Sequence, residues 1–294
     1  MLLKPSKIVL AQTGSVLGDV AKNVAHHADL TRQAIDAKAD AIIFPELSLS
    51  GYTVRDLNFE IAIDLSNGAQ TSSLKPLLEL SKQITIICGA VEEDERGAVY
   101  NSALLIESGE VRHTHHKVYP PTYGLFEEGR YFRSGHEAQA FDSKRLGRIG
   151  LLVCEDLWHP ALPYVEALDD AQMIITIAAS PTRLDTGEAA LTAPEPENYT
   201  INREHHAAYA RLLSVFLVFV NRIGVEDGVN FWGGSEVVAP SGETIARGKF
   251  FDEDFVTCEI NPDQLRQARQ LSRHFLDDRP LLTRHLIETL MERK

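Results

Sequence analysis

Apolar runs of strand length alternate with segments of helical period along most of this chain, and this alternation restricts the possible folds more than any other feature. The runs KIVLAQ, AIIFPE, ITIICGAV, GRIGLLVC, MIITIAAS and SVFLVFVNRIG each have the length of one buried strand. Helices are predicted from Asp19, a suitable N-cap, to about Lys38, and near Ser73–Gln83, Pro163–Ala171 and Asn198–Leu213. Strands and helices in alternation predict an α/β fold made of packed layers.

Two parts of the strand pattern differ, because their strands are joined by turns instead of helices. Glu107-Ser108-Gly109 separates AVYNSALLI from EVRHTHHK and predicts a tight hairpin, which makes Lys117 the residue that leaves a strand. Beyond Gly233, the runs SEVVAP, SGETIARG and FVTCEI follow one another through short connections. The predicted sheet is therefore mixed.

One domain of residues 1–294 is expected at this length, because α/β folds of about 250 residues often form a single unit. From about residue 261 the sequence predicts a helical C-terminal extension, whose last part places Leu282, Leu286 and Leu290 on one face. We expect this extension to pack on the domain or on a neighbouring subunit.

The charge and the hydropathy pattern argue against two classes of partner. The formal net charge is −13, whereas a nucleic-acid surface requires clustered Lys and Arg that displace counterions. No apolar run approaches the ~20 residues that span a bilayer, and the segment MLLKPSKIVLAQ lacks the apolar core of a secretory signal. We therefore expect a cytoplasmic protein without nucleic-acid or membrane partners.

The three cysteines of the chain differ in their surroundings. Cys88 in TIICGA and Cys258 in FVTCEI lie inside strand-like runs, as small buried hydrophobic residues do. Cys154 ends the run GRIGLLVC and is followed directly by Glu155 and Asp156. A large chain with an odd number of cysteines does not indicate a disulfide framework, so Cys154 is the candidate for a reactive thiol.

Three reactive side chains stand at the ends of strand-like runs: Glu46, Lys117 and Cys154. A sheet can bring the ends of neighbouring strands into one crevice, so a carboxylate, a cation and a thiol are expected to meet there. A nucleophilic cysteine needs a base or a cation to become a thiolate. At a sharp turn, the backbone N–H of Glu155 would face a developing oxyanion. This is the pattern of an acyl-transfer site.

Each of these residues also has a structural interpretation. Glu46 can cap a turn after Pro45, Lys117 can be a solvated strand end, and Cys154 can belong to the core. The functional interpretation depends on all three residues being present together, each at the end of a strand-like run.

Two other kinds of site are disfavoured. Alternation along a strand sends His113 and His115 to one face and His116 to the other, which leaves too few convergent ligands for a metal ion. A Cys-His protease pair of Cys154 and His159 is disfavoured because such pairs converge from distant segments.

Four segments in the same order resemble the motif blocks of the nitrilase superfamily of carbon-nitrogen hydrolases: FPELSLSGY, HHKVYPPTYGLFEEGRYF, GLLVCEDLWHP and NRIGVEDGVNFWGGSEVVAPSGE. The resemblance covers nearly the whole chain. It implies that Glu46 is the general base, that Lys117 stabilises the tetrahedral intermediate and that Cys154 is the nucleophile. It adds Glu128, in FEEGRYF, as a second glutamate that positions the substrate and the lysine.

The chain especially resembles the glutamine-hydrolysing domains of NAD synthetases. It shares with them a tyrosine after the first glutamate, Tyr52, and the blocks Tyr123–Phe132 and Cys154–Trp158. The synthetase domain itself is missing, so we expect a stand-alone amidase or the supply of ammonia to a separate partner. The residues expected to contact the substrate are Tyr52, Tyr123, Glu155, Trp158 and Ser180.

The chain departs from the family pattern after the nucleophile. Where members often carry Asn-x-Ser or Asn-x-x, this sequence has Ile177-Ala178-Ala179-Ser180-Pro181. The segment TRLDTGEAALTAPEPEN that follows is acidic and is predicted to be a loop that borders the site. Both differences leave open whether glutamine is the substrate.

The resemblance implies an α-β-β-α sandwich of two stacked mixed sheets with outer helices, assembled as a homodimer or a higher homo-oligomer. The implied reaction converts a small primary amide to an acid and ammonia through a cysteine thioester, with no cofactor and no metal. Nitriles are less expected, because Glu155-Asp156 stands where true nitrilases have Trp-Glu.

Two alternatives remain, one of them a module that depends on a partner and the other a different hydrolase of the same class. A glutaminase subunit would supply ammonia to a separate synthetase. An N-carbamoyl amidohydrolase would need an arginine for the carboxylate of its substrate, for which Arg55, Arg130 and Arg183 are candidates.

Overall fold

The computed structural model describes residues 3–65, 71–182 and 196–293. In chain order its strands are β1 Ser6–Gln12, β2 Ala41–Ile43, β3 Ile63–Asp64, β4 Thr85–Glu93, β5 Val99–Glu107, β6 Glu110–His116, β7 Phe141–Ser143, β8 Gly147–Val153, β9 Met173–Ala178, β10 Pro181–Thr182, β11 Phe216–Asn221, β12 Ile223–Glu226, β13 Val229–Trp232, β14 Glu236–Val238, β15 Thr244–Arg247 and β16 Asp254–Ile260. Its α-helices are α1 Val20–Asp36, α2 Asn58–Ile61, α3 Lys75–Leu80, α4 Glu128–Tyr131, α5 Ala161–Leu168, α6 Glu197–Leu213, α7 Pro262–Leu271 and α8 Pro280–Glu292. Short 3-10 helices lie at Arg55–Leu57, Thr71–Leu74 and Cys154–Trp158.

Two large mixed sheets contain most of these strands. The first has the order β16-β1-β2-β4-β5-β6, with β3 beside β4. Its strands β1, β2 and β4 are parallel, and the hairpin of β5 and β6 continues the sheet in antiparallel fashion. The second has the order β15-β14-β11-β9-β8-β7, with a parallel centre of β8, β9 and β11. The predicted mixture of parallel and antiparallel strands is therefore present in both sheets.

The inner faces of the two sheets pack against each other. Each contributes apolar side chains that are at most 1% exposed, among them Ile8, Leu10 and Ile43 from the first sheet and Leu151, Ile175 and Val218 from the second. Burying such a side chain stabilises a fold by about 1.5–3 kcal/mol. This layer therefore holds the two sheets face to face.

Helices cover the outer face of each sheet. On the first sheet, Val24 of α1 and Leu77 of α3 pack with Ile42 of β2. On the second sheet, α5 and α6 pack through residues such as Ala167 and Leu213. The resulting order of helix, sheet, sheet and helix confirms the predicted α-β-β-α sandwich.

The run SVFLVFVNRIG is not one strand, because it divides at Arg222 between the second sheet and a third, small sheet. The side chain of Asn221 accepts the N–H of Ser180 at 2.8 Å and donates to the carbonyl of Gly233 at 3.0 Å. The buried guanidinium of Arg222 lies 2.9 Å from Glu226. These polar contacts turn β12 away to pair with β13, which in turn pairs with β10, in a sheet that the sequence did not predict.

The C-terminal extension consists of α7 and α8. Phe275, between them, packs against the outer core of the second sheet, and Tyr164 of α5 donates a hydrogen bond to Asp278. No residue of α8 is buried. Helix length and hydropathy within the described ranges nowhere reach what a membrane crossing requires.

Candidate active site

Glu46 lies in a tight loop that follows β2 and rests on the backbone of β4. Gly89 permits this contact, since a Cβ atom at that position would lie 2.1 Å from the backbone nitrogen of Leu47. Two backbone hydrogen bonds fix the loop on either side: Gly89 N–H donates to Pro45 at 3.2 Å and Leu49 N–H donates to Gly89 at 3.0 Å. The Glu46 side chain is directed into the protein and has no solvent exposure.

Lys117 is the first residue after β6, and its side chain is buried. Its backbone N–H donates to the carbonyl of Asn101 on β5 at 2.9 Å, which continues the strand pairing by one residue. Its ammonium Nζ lies 2.8 Å from Glu46 Oε1 and 2.8 Å from Glu128 Oε1. Because an ammonium has three N–H donors, these two bonds leave one donor for a further acceptor, as far as the described residues show.

Glu128 begins α4 and is held by Lys117 and by two neutral donors. Tyr52 donates from its hydroxyl to Glu128 Oε1 at 2.5 Å. Asn101 donates from Nδ2 to Glu46 Oε1 at 2.7 Å and to Glu128 Oε2 at 3.2 Å, so it bridges the two carboxylates. Sequence reasoning missed Asn101, whose only signal is an amide in the apolar run AVYNSALLI.

Cys154 lies where β8 turns sharply into the 3-10 helix Cys154–Trp158. Its φ of +47° falls in the left-handed region that residues with a side chain seldom adopt. The residue is partly buried, and it packs against both the inner core and the outer core of the second sheet. A turn of this kind at a strand end exposes a nucleophile above its sheet.

Asp156 connects the turn at Cys154 with the strand end that carries Lys117. Its carboxylate, which has no solvent exposure, lies within hydrogen-bond distance of Val118 N (2.9 Å), Tyr119 N (3.0 Å), Val153 N (3.2 Å) and His115 Nε2 (2.9 Å). The sequence indicated Asp156 only as a neighbour of the thiol. Its role as a connection between the two sheets depends on contacts that are distant in the chain.

Burial and charge act together on the titratable groups of this cluster. Burial raises the pKa of the Cys154 thiol well above its usual value, the Glu46 carboxylate adds to the rise, and Lys117 opposes it. Burial lowers the pKa of Lys117, but the carboxylates of Glu128 and Glu46 outweigh it and hold that pKa well above its usual value. Burial raises the pKa of Glu128 against the pull of Lys117. Without substrate, the site therefore contains a protonated thiol beside an ammonium group.

Three of the residues predicted to contact substrate lie beside this cluster. Tyr52 belongs to it through Glu128. Tyr123 donates from its hydroxyl to the Glu155 carboxylate at 3.0 Å, and burial together with this bond raises the pKa of Tyr123 to about 12. The charge of Lys117 acts on both Tyr123 and Glu155, which places the pair near the cationic centre.

The remaining two, Trp158 and Ser180, line a small cavity next to Cys154. The indole of Trp158 contacts the ring of His205 edge to face, with the ring centroids 4.4 Å apart. Ser180 Oγ accepts a hydrogen bond from Trp232 Nε1 at 3.1 Å. The structure thus brings the Glu46, Lys117, Glu128 and Cys154 cluster and the five expected substrate contacts to the same end of the two sheets.

The third sheet supports the loop that carries Tyr52. Glu226 of β12 accepts the backbone N–H groups of Tyr52 at 2.8 Å and of Thr53 at 2.5 Å. Arg222 compensates the negative charge of Glu226 at 2.9 Å. Sequence reasoning missed Glu226, because the acidic residues of NRIGVEDG give no sign of a partner 174 residues away.

Two of the three arginines considered for a substrate carboxylate have other contacts. Arg55 forms an exposed ion pair with Asp227 at 2.5 Å. The guanidinium of Arg130 lies 5.5 Å from the ring centroid of Tyr131. Arg183 and most of the predicted loop TRLDTGEAALTAPEPEN lie outside the described residues.

The three histidines of β6 have separate surroundings. His115 lies 2.9 Å from Asp156, and His116 lies 2.9 Å from Glu92. His113 stacks on the ring of Phe141. Across the described ranges, no group of three or more His, Cys, Asp or Glu side chains is arranged to hold a metal ion.

Residues 7–270 match the sequence model of one family, carbon-nitrogen hydrolase. This chain belongs to the carbon-nitrogen hydrolase family. The match includes every element that carries the cluster, and it confirms the resemblance seen in the motif blocks.

This hydrolase is similar to curated and structurally determined relatives. It is 29% identical over 266 residues to the glutamine-dependent NAD(+) synthetase of Thermotoga maritima, a match that covers 89% of this chain and 43% of the synthetase. It spans between 43% and 50% of the length of four such synthetases.

Two solved structures share its fold. A carbon-nitrogen hydrolase from Helicobacter pylori G27 superposes with a TM-score of 0.82 at 23% identity, covering 96% of this chain and 98% of that one. A glutamate-to-glutamine mutant of the amidase from Nesterenkonia sp. AN1, with the acetamide moiety of fluoroacetamide added at its active-site cysteine, superposes with a TM-score of 0.77 at 20% identity, covering 97% of this chain and 98% of that one.

Proposed function

We propose that this hydrolase converts small primary amides to the acid and ammonia, with Cys154 as nucleophile, Glu46 as base and Lys117 as the stabilising cation. The observation that carries the proposal is the buried hydrogen bond of 2.8 Å between Lys117 Nζ and Glu46 Oε1, next to a thiol on which both charges act. The Nesterenkonia amidase, whose cysteine carries an acetamide moiety, supports an amide as substrate.

The thiol and its base meet at Ala179. The backbone N–H of Ala179 donates to Glu46 Oε2 at 2.7 Å, and it also acts to lower the pKa of the Cys154 thiol. When Sγ attacks the carbonyl carbon, Glu46 accepts the thiol proton and the carbonyl π electrons move to the oxygen. The proton is therefore transferred only when a substrate is present.

Lys117 stabilises the oxyanion that forms in this step. Its two carboxylate contacts fix Nζ, and its third N–H, together with the backbone N–H of Glu155, donates to the oxyanion. Glu46 then returns the proton to the amide nitrogen, and the C–N bond breaks. Ammonia departs, and the acyl group remains bound to Cys154 as a thioester. Glu128 acts through Lys117, because it holds the ammonium group in place.

A water molecule completes the cycle. Glu46 accepts a proton from the water, the water oxygen attacks the thioester carbon, and the same donors stabilise the second oxyanion. The C–S bond then breaks, the thiolate regains its proton from Glu46, and the acid leaves.

The proposal is tested with a panel of small primary amides assayed for ammonia. We expect release by the wild type and loss of at least about 10³-fold in kcat for Cys154→Ala. Rapid quench of the wild type should show a mass increase equal to the acyl group on the peptide that contains Cys154. Cys258→Ala, which removes a buried thiol outside the cluster, serves as the matched control. Unchanged turnover in Cys154→Ala, or no acyl-enzyme mass during turnover, contradicts the mechanism.

A second candidate is the hydrolysis of glutamine to supply ammonia to a separate synthetase. The similarity to glutamine-dependent NAD(+) synthetases favours it. The hydrogen-bonded pair of Tyr123 and Glu155 beside the cluster offers a carboxylate to the amino group of an amino-acid amide. Glutamine and glutarate monoamide differ by that amino group, so comparing their rates of hydrolysis separates the two candidates. A preference for glutamine that is abolished in Glu155→Gln favours the glutaminase.

A further inference from the structure

The small cavity next to Cys154 contains polar groups for which the mechanism above has no use. It lies between the ends of β8 and β9 and one face of α6, and its lining includes Cys154, Ser180 and His206. Its volume is about 10 Å³, close to the minimum that holds one water molecule. An occupant of this cavity is therefore about the size of a hydroxyl group and touches the nucleophile.

His206 supplies the first polar group. The residue is 1% exposed, and its Nδ1 lies 2.7 Å from Oε1 of Glu236, which is also 1% exposed. This contact uses one side of the imidazole, and the ring packs on Phe219. Nε2 has no hydrogen-bond partner within the described part of the chain. Buried polar atoms are rarely left in this state, so Nε2 indicates a partner that binds in the cavity.

Ser180 supplies the second polar group. Its Oγ accepts the indole N–H of Trp232 at 3.1 Å, which leaves the serine O–H free to donate. A hydroxyl group placed in the cavity can accept from Ser180 and form a second hydrogen bond with His206 Nε2. The rest of the lining combines apolar side chains, Leu157 and Phe219, with the polar side chains of Asn202 and His205 and the indole of Trp158. An alkyl group of the same size would leave His206 Nε2 without a partner and the Ser180 O–H without an acceptor.

We propose that this cavity is a subsite for a hydroxyl group on the carbon next to the scissile carbonyl, held by His206 and Ser180. The cavity borders Cys154, the residue that receives the acyl group, so we assign its occupant to the acyl side of the substrate. The preferred substrates are then short 2-hydroxy carboxamides instead of alkyl carboxamides. This inference rests on the proposed function, because it assigns the acyl group of that reaction.

Glycolamide and propanamide test the subsite, because they have the same number of heavy atoms and differ by a hydroxyl in place of a methyl group. We expect the wild type to favour glycolamide by about tenfold in kcat/KM, which corresponds to one buried hydrogen bond. His206→Phe and Ser180→Ala should each reduce this preference toward one. His285→Phe, which removes a histidine from the exposed helix α8, should keep it.

A binding measurement decides the inference without turnover. In Cys154→Ala, calorimetric titration should show glycolamide binding about tenfold more tightly than propanamide, and adding Ser180→Ala should remove the difference. Ser180→Ala keeps the His206–Glu236 contact, so it remains informative if His206→Phe does not fold. Equal affinity for the two amides, or a preference that survives Ser180→Ala, overturns the subsite. Absence of ammonia from every amide would instead contradict the proposed function, while the titration still decides this inference.

Discussion

Asp156 Oδ1 accepts the backbone N–H of Val118 at 2.9 Å. The contact joins the turn that presents Cys154 on the second sheet to the strand end that presents Lys117 on the first. A single carboxylate thus sets the relative position of the proposed nucleophile and the proposed cation.

Asp156→Asn is expected to damage both stability and catalysis. An amide can accept with one atom only, so at least one buried backbone N–H loses its partner, and the free energy of unfolding should fall by about 1–3 kcal/mol. Because the connection between the two strand ends is then weakened, kcat should fall as well, while KM changes little. Chemical denaturation and steady-state kinetics measure the two effects. Asp94→Asn, at an exposed turn where the carboxylate also accepts two backbone N–H groups, should cost less than about 1 kcal/mol. Equal losses in both variants would contradict the special role of Asp156.

Glu128→Gln should lower kcat by roughly 10²-fold, because the ammonium group loses one of the two carboxylates that fix it. The same contact also determines how the variant's activity should depend on pH. Glu128 contributes to the raised pKa of Lys117, so without that charge Lys117 loses its proton at a lower pH. The alkaline limb of the kcat/KM profile should then move to lower pH. Glu127→Gln, on the exposed neighbouring residue, should leave rate and profile unchanged.

His27 should make the fold sensitive to acid. Its Nδ1–H donates to the Asn23 carbonyl, its Nε2 lies 2.9 Å from Ser48 Oγ, and burial lowers its pKa to about 3. Since the unfolded chain binds this proton with a pKa of about 6.5, stability is full above that value and declines as the pH falls toward the folded-state pKa. Between about pH 7 and pH 5, the free energy of unfolding should lose about 2 kcal/mol because of His27. Unfolding free energies of His27→Gln should show a correspondingly smaller decline, whereas His285→Gln on exposed α8 should match the wild type.

Self-association through α8 is the expected use of its apolar face. Leu282, Leu286 and Leu290 are 40%, 59% and 55% exposed, and contiguous apolar surface of this kind marks an interface. Light scattering coupled to size exclusion should give a mass of two or more chains for the wild type. Leu286→Glu with Leu290→Glu should reduce that mass, whereas Arg284→Glu, on the other side of the helix, should not. A wild-type chain that is monomeric at micromolar concentration contradicts this prediction.

The four-layer fold could be predicted because strand-like runs and helical segments alternate along the chain. Ile42 belongs to one of the apolar runs, and Val24 lies on the apolar face of a predicted helix. The third sheet could not, because it depends on Arg222 and Glu226. A buried ion pair has no apolar period to detect, and its contacts with the Tyr52 loop come from a distant segment.

The meeting of Glu46, Lys117 and Cys154 at one place could be predicted from their positions at strand ends. The support around them could not. Asn101 and Asp156 act through hydrogen bonds between segments that are far apart in the chain, and neither residue belongs to a pattern of its own.

The division of the cluster between two sheets has a consequence for how activity reports on the molecule. Glu46 and Lys117 follow strands of the first sheet and Cys154 follows a strand of the second, so a small slip between the sheets separates Cys154 from Glu46. If the proposed function is right, turnover therefore reports sensitively on the alignment of the two sheets. As the concentration of denaturant is raised, catalytic activity should disappear before the far-UV circular dichroism of the protein changes.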